Sequence, residues 1–245
     1  MTFFSQYLAY LRINWQTLRQ FTWLFAMINI AFAVGLVIGF GYLIPEISET
    51  TALYLVSGTA VQMVVTVGLV GLPQTLSQEK NDGLVDYFWT LPASREAYLL
   101  AKVTFVLVQA LPAIAFALVI GAWRYGFSLD VSPWVVLAIP LAVLSLGGLG
   151  IAMAILSPHM QLTNAVTQLI IFYVLFFAPV IAPASQLPAF LQHVGHFLPP
   201  TYAADAFRAT LTDLPGTHLY RSMLVLAGFG VASLTAASLA VRRRG

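Results

Sequence analysis

Charged side chains are concentrated in one internal stretch of the sequence, from Ser77 to Lys102. The chain carries only twenty Lys, Arg, Asp and Glu residues in 245 positions, and seven fall here: Glu79, Lys80, Asp82, Asp86, Arg95, Glu96 and Lys102. Apolar and aromatic residues stand beside acids from Gly83 to Trp89, which is typical of a short amphipathic helix where lipid meets water. The chemistry that this pattern favours is ion pairing with a partner.

Motifs for catalysis or cofactor binding are missing from the sequence. There is no cysteine, so thiolate metal sites and cysteine nucleophiles are excluded. Neither a G-x-S-x-G nor a G-x-x-x-x-G-K-[ST] motif occurs, and Lys80 and Lys102 are the only lysines. His193 and His196 have metal-ligand spacing but no third ligand nearby. We predict that the chain is not an enzyme, holds no metal or cofactor and cannot energise itself with ATP.

The composition indicates an integral membrane protein. Hydrophobic residues make up 60%, charged residues 8%, and the mean hydropathy is +0.87, whereas soluble domains carry about 25% charged residues. The eleven basic residues are dispersed along the chain, so no nucleic-acid patch is expected. Without a repeat or a linker, the simplest organisation is one membrane domain, residues 1–245.

Six apolar segments are long enough to cross a bilayer, because a spanning helix needs roughly 20 residues. They run near Phe21–Ile44, Ala52–Leu72, Leu99–Ala122, Trp134–Leu156, Asn164–Ile181 and Leu219–Val241. The predicted fold is therefore all-α with six transmembrane helices. Residues 1–20 repeat apolar side chains at helical spacing, which predicts an amphipathic interfacial helix; a frayed polar tail is the alternative.

Basic residues predict the orientation. Eight of the eleven lie in the N-terminal segment, the second loop and the C-terminus: Arg12, Arg19, Lys80, Arg95, Lys102, Arg242, Arg243 and Arg244. Because Lys and Arg are enriched in cytoplasmic segments, both termini and the charged loop are predicted to be cytoplasmic.

Two ordered motifs connect the chain with a known family. The first runs from Glu79-Lys80-Asn81-Asp82-Gly83-Leu84-Val85-Asp86 through Leu91-Pro92-Ala93-Ser94-Arg95 to Lys102, and the second from Leu187-Pro188 through Leu198-Pro199-Pro200-Thr201-Tyr202 to Arg208. With the six spans, they resemble the permease subunits of type-2 ATP-binding cassette (ABC) exporters. Gln78 and Leu84 depart from the family pattern, which often has Arg and Thr there.

The resemblance implies a multi-pass protein of a bacterial or archaeal inner membrane, in which two permeases work with two cytosolic ABC ATPases that bind ATP and Mg²⁺. It makes residues 77–98 a cytoplasmic coupling segment and residues 183–216 an outer helical hairpin, for which a plain surface loop is the alternative. The predicted ATPase-coupling residues are Glu79, Asp82, Gly83, Leu84, Asp86, Tyr87 and Phe88.

The resemblance also places a substrate path on the first, second and fifth spans, at the interface with a second permease. The candidates are Asn29, Gln62, Thr66, Gln168, Phe172 and Phe176. Amides and aromatic rings suit a hydrophobic or amphipathic substrate, drug-like or lipid-like. Two other functions are considered for the protein: an ATP-independent secondary transporter, and a non-transporting scaffold or sensor. For residues 77–98, the alternative is an amphipathic segment that rests on the lipid surface without contacting an ATPase.

Overall fold

The apolar segments form helices, since in lipid every backbone N–H and C=O must be paired within the chain. The computed structural model describes residues 2–43, 47–91, 93–176, 180, 188–195, 197–212, 214 and 216–242. Within these residues there is no strand. The helices are α1 (Phe3–Leu43), α2 (Glu49–Val65), α3 (Leu72–Asn81), α4 (Leu84–Thr90), α5 (Arg95–Tyr125), α6 (Val135–Leu156), α7 (Met160–Phe176), α8 (Ala189–Gly195), α9 (Pro199–Leu211) and α10 (Leu219–Arg242), with a π-helical segment, Thr66–Gly71, between α2 and α3.

The all-α membrane fold is confirmed. Five helical stretches are long and apolar enough to cross a membrane: Trp23–Leu43, Glu49–Asn81, Arg95–Tyr125, Val135–Leu156 and Leu219–Leu239. The fifth predicted span, Asn164–Ile181, corresponds to a shorter apolar helix, Met160–Leu175. Residues 177–179 and 181 of that predicted span lie outside the described residues.

The N-terminal helix and the first span are one continuous helix, α1, where the sequence predicted a boundary near residue 20. The physical reason is that no Gly or Pro interrupts residues 3–34, so nothing in the backbone stops the helix. Its N-terminal part exposes Phe4, Leu8 and Trp15 by 47% or more. Those side chains suit the interfacial position that the sequence predicts.

The second span is longer than predicted and contains the π-helical segment. It continues to Asn81 rather than ending near Leu72, and the Leu72 N–H donates to the Val67 carbonyl, five residues back. Gly68 in this segment lies against α6, where an added Cβ would come 3.2 Å from the Gly147 nitrogen. Short π-helical turns occur frequently at functional sites.

Two hydrogen bonds show that α1 and α5 run side by side in the same direction. The Ser94 N–H donates to Gln6 Oε1 over 2.9 Å near their first residues, and the Tyr125 hydroxyl donates to the Val37 carbonyl over 2.6 Å near their last. Ser238, late in α10, lies 3.4 Å from Glu96 at the start of α5. The N-terminal part of α1, the segment around α4 and the last turns of α10 therefore share one end of the bundle, called here the coupling end.

The opposite end carries α8 and α9, two of the helices expected in the hairpin; residues 183–187, 196, 213 and 215 of that prediction lie outside the described residues. Arg208 on α9 donates to the Val180 carbonyl, and its guanidinium lies 4.3 Å from the centre of the Tyr54 ring on α2. Burial lowers the pKa of Arg208 to about 10, against the opposing effects of Tyr54 and Asp205. The group therefore remains charged at neutral pH and joins α9 to the second span.

Candidate functional site

The coupling segment contains a separate short helix, α4, that Gly83 sets apart from α3. Gly83 has φ = +75°, a left-handed conformation that costs glycine little because it lacks Cβ. The chain turns there, directly after Asp82 ends α3. Gln78, which stands where the family often has Arg, donates to both carboxylate oxygens of Asp82 over 2.9 Å, so it orients this acid at the turn.

One face of α4 is packed against the protein. Val85 is buried. The Phe88 ring lies 5.7 Å from that of Tyr10 on α1 and 5.5 Å from that of Tyr98 on α5, and Tyr10 and Tyr98 meet edge to face. These three rings, the aromatic cluster, attach α4 to two long helices.

The other face of α4 is open to solvent. Leu84 is 44% exposed and Tyr87 60% exposed, and Asp82 and Asp86 are exposed beside them. An apolar surface with acids around it fits a partner that offers a groove and basic residues. Of the seven predicted coupling residues, these four and Gly83 face outward.

The other two predicted coupling residues, Glu79 and Phe88, are partly buried and contact other parts of the chain. Phe88 belongs to the aromatic cluster, and the Glu79 side chain is only 17% exposed. Glu79 accepts hydrogen bonds from the Lys102 ammonium over 2.5 Å and from the Tyr98 hydroxyl over 2.8 Å. Its carboxylate ties the end of α3 to α5, and contact of Glu79 with an ATPase stays a prediction.

Basic residues of the segment also bind within the chain. Lys80 donates to the carbonyls of Ile155 and Ser157 at the end of α6, over 3.3 and 2.6 Å, where a cation complements the helix dipole. Arg95 lies 5.4 Å from the centre of the Trp89 ring. Neither role was predicted from the sequence.

A cavity of about 270 Å³ lies between α1, the π-helical segment, α3 and α5. Two predicted path residues, Asn29 and Thr66, line it together. The sequence did not assign the rest of the wall to a site, although the lining residues of α1 and of α5 each follow the i, i+3, i+4, i+7 spacing of one helical face. The lining includes Phe25, Ile28, Asn29 and Phe32 of α1, Thr66, Val67, Val70 and Gly71 of the π-helical segment, Gln74 and Thr75 of α3, and Lys102, Phe105, Val106 and Gln109 of α5.

The remaining path candidates lie elsewhere. Gln62 is fully buried, and neither atom of its amide has a hydrogen-bond partner among the described residues. Gln168 and Phe172 are exposed on α7, and the side chain of Phe176 lies outside the described residues. The six candidates therefore do not form one site within a single chain.

Comparison with protein families gives the classification. The model of the ABC-2 type transporter family matches residues 5–212, a range that includes the coupling segment, the cavity and α9. The chain belongs to the ABC-2 type transporter family. No curated protein matches the sequence closely enough to count as a relative.

Membership of the ABC-2 type transporter family accounts for the general nature of the chain. It is a multi-pass permease subunit, the membrane component of a transporter and not a catalytic chain. The family also implies partnership with an ABC ATPase.

Proposed function

We propose that this permease exports a hydrophobic or amphipathic substrate, drug-like or lipid-like, and is driven by a separate cytosolic ABC ATPase that binds ATP and Mg²⁺. The coupling end faces the cytoplasm in this proposal, as the distribution of Lys and Arg favours. The protein resides in the inner membrane of a bacterium or archaeon.

The observation that supports coupling is the division of α4 into two faces. Its outer face, with Leu84 and Tyr87 exposed, is free for the ATPase, while Phe88 is held by Tyr10 and Tyr98. A force on the outer face would reach α1 and α5 directly, since packed aromatic rings behave as a rigid contact. A segment that only rested on lipid would gain nothing from exposed acids, because the cytoplasmic leaflet is negatively charged.

A second permease is proposed to cover α7. Gln168, Leu169 and Phe172 are exposed along this helix, and an amide facing hydrocarbon is costly unless another helix offers it a hydrogen bond. A dimer that buries this face would bring the predicted path residues of α7 to the centre of the assembly. In this proposal the two permeases form a homodimer or a heterodimer.

The test is charge reversal on the outer face of α4. We expect Asp86→Lys to weaken association with the ATPase by about tenfold or more, because a like charge would meet the basic residues that Asp86 is proposed to contact. Asp130→Lys is the matched control, since Asp130 is also exposed but follows α5 at the opposite end of the bundle. The measurement is co-purification with the partner ABC ATPase, followed by ATP-driven transport in proteoliposomes.

Three outcomes would contradict the proposal. Unchanged assembly and transport in Asp86→Lys would exclude α4 as the docking element. Transport by the purified permease under an ion gradient alone would favour a secondary transporter, whereas an ATPase whose rate never responds to substrate would favour a scaffold or sensor.

A further inference from the structure

The cavity between α1, the π-helical segment and α5 has one charged group in its wall, Lys102. Its side chain is only 4% exposed, although a buried ammonium is costly unless its charge and its N–H groups are matched. An ammonium carries three donors. Among the described residues it meets one acceptor oxygen, Glu79 Oε1, and the face of the Tyr98 ring at 5.4 Å. Lys102 therefore has donor capacity left for an oxygen in the cavity.

The pair with Glu79 keeps this position electrically balanced. Glu79 is not part of the cavity wall, and its second oxygen accepts the Tyr98 hydroxyl. The cavity thus has a cationic wall group whose neutralising carboxylate lies behind it. A buried cation with its counter-ion already present binds a further oxygen through its free N–H groups, as a charge-assisted hydrogen bond.

Most of the remaining cavity surface is apolar, although the neutral polar residues Asn29, Thr66, Gln74 and Thr75 also line it. Phe105 and Val106 follow Lys102 on α5, and Gln109 lies about 10 Å farther along at about 1.5 Å per residue. Phe25 and Ile28 line the α1 side and are 51% and 55% exposed. A chain that enters beside them stays in contact with apolar side chains.

The volume decides how much of a ligand fits. About 270 Å³ is small beside the roughly 300 to 1,000 Å³ of sites that enclose a whole drug-sized ligand. It accommodates a head group and the first part of a hydrocarbon chain, with the remainder in the bilayer.

From these observations we infer that the cavity is a binding site, present within each single permease, for an amphiphile whose head group carries a phosphate or carboxylate oxygen. The oxygen accepts a hydrogen bond from Lys102, and the hydrocarbon lies along Phe25 and Phe105. The ligand of this site would belong to the class of substrates that the permease exports. This inference rests on the export function proposed above. It differs from the path at the permease interface because one chain supplies all of its walls.

The position of Glu79 connects this site with the coupling segment. Glu79 lies four residues before Gly83, and its partner Lys102 lines the cavity. When a head group occupies Lys102, it competes with Glu79 for the ammonium. The ion pair is thus a direct contact through which an occupied cavity acts on the end of α3 next to α4.

Binding is tested on the full-length permease in a nonionic detergent by native mass spectrometry, without ATP or ATPase. The probe is dodecyl phosphate. Dodecanol, which lacks the phosphate, and inorganic phosphate, which lacks the hydrocarbon, are measured separately as control ligands. We expect one dodecyl phosphate per chain, bound about tenfold or more strongly than either control ligand, since only dodecyl phosphate both accepts a hydrogen bond from Lys102 and contacts the apolar wall.

Substitutions of the two ion-pair residues are expected to change the binding of dodecyl phosphate in opposite directions. Glu79→Gln removes the competing charge and should strengthen binding of dodecyl phosphate by about threefold or more. Adding Lys102→Met to that variant removes the donor without leaving a buried unpaired carboxylate, and should abolish the preference over dodecanol. Lys80→Met is the control: it removes the other lysine, which lies outside this cavity, and should leave binding unchanged.

A purely structural ion pair would give a different pattern. Weaker binding in Glu79→Gln, or an undiminished preference for dodecyl phosphate in the Glu79→Gln, Lys102→Met double variant, would overturn the assignment. If inorganic phosphate binds as strongly as dodecyl phosphate, the ligand of Lys102 is a soluble anion and the inference of an amphiphile is wrong. Because ATP is absent, none of these results bears on docking at α4, and failed ATPase coupling with intact binding would reject only the export function.

Discussion

Glycines on α6 allow the π-helical segment to approach this helix at backbone distance. An added Cβ at Gly150 would overlap the Gly68 carbonyl oxygen and lie 3.0 Å from Pro73 Cδ. A backbone oxygen inside a helix cannot rotate away as a side chain can, so the two helices would have to separate. Gly147, one turn earlier on α6, has only ordinary contacts around its missing Cβ, the nearest being Leu72 Cδ2 at 3.6 Å.

We expect Gly150→Ala to lower the unfolding free energy by about 1 to 3 kcal/mol through overpacking. Gly147→Ala is the matched control and should be neutral or slightly stabilising, because alanine favours a helix over glycine by about 1 kcal/mol. The measurement is the unfolding temperature of the purified permease, followed by loss of the monodisperse peak in size-exclusion chromatography after heating. Equal unfolding temperatures for the two variants would show that the contact between Gly68 and Gly150 is not tight.

Helix α4 packs one face against the protein and exposes the other within seven residues. A helix of this length has no stability of its own in water, because nucleation is costly. It is held by burial of Val85 and by the contacts of Phe88 with Tyr10 and Tyr98. Tyr87, next to Phe88, is exposed because consecutive residues of a helix point in different directions.

The two neighbours on α4 should separate stability from coupling. Phe88→Ala removes a ring from the aromatic cluster and should cost about 2 to 4 kcal/mol of stability. Tyr87→Ala should change stability by less than about 0.5 kcal/mol, yet reduce stimulation of the partner ATPase, because an exposed tyrosine is a common anchor at interfaces. Thermal unfolding and ATPase assays on the assembled transporter measure the two effects. If Tyr87→Ala alone proves destabilising, its side chain is part of the protein core and not of the docking face.

The two ends of the helix bundle contain different elements. The coupling end contains the N-terminal part of α1, α4 and the late turns of α10, with hydrogen bonds from Ser94 to Gln6 and from Ser238 to Glu96. At the opposite end, Asp205 of α9 accepts hydrogen bonds from the His218 N–H and the Ser222 hydroxyl. The second span runs between these ends with 89% of its apolar window buried, against 17% for the first, so α2 is the central helix of the bundle.

Absence of cysteine from the chain makes the membrane orientation directly measurable. Single substitutions Thr90→Cys on α4 and Ser128→Cys after α5 place one thiol at each end of the bundle, and both positions are exposed. We expect a membrane-impermeant maleimide to label Ser128→Cys in intact cells and Thr90→Cys only after the membrane is opened, since Lys and Arg favour the cytoplasm. Ser5→Cys should behave like Thr90→Cys. The reverse pattern would mean that α4 cannot reach a cytosolic ATPase.

The sequence alone determined the features that depend on local composition. Long apolar runs predicted the spans, because the bilayer selects for hydrophobicity and length, and the mixed apolar and acidic stretch from Gly83 to Trp89 predicted the short helix α4. The fifth predicted span, Asn164–Ile181, is represented by a shorter apolar helix, Met160–Leu175, and its predicted end lies outside the described residues. The joined α1 and the π-helical segment were not predicted: an apolar run shows neither where an interfacial helix bends nor how its turns are wound.

Only the tertiary structure decided which side chains meet. Glu79 and Asp82 have the same sign and similar neighbours in the sequence, yet Glu79 pairs with Lys102, twenty-three positions away, and Asp82 faces solvent. Likewise, Asn29 and Thr66 line one cavity with Lys102, while Gln62 is enclosed and Gln168 is exposed. Residue type sets what a side chain can bind, but the rotation of each helix about its axis sets what it meets, and that rotation follows from packing against distant helices. Close approaches such as Gly150 to Gly68 determine that packing, and no local pattern contains them.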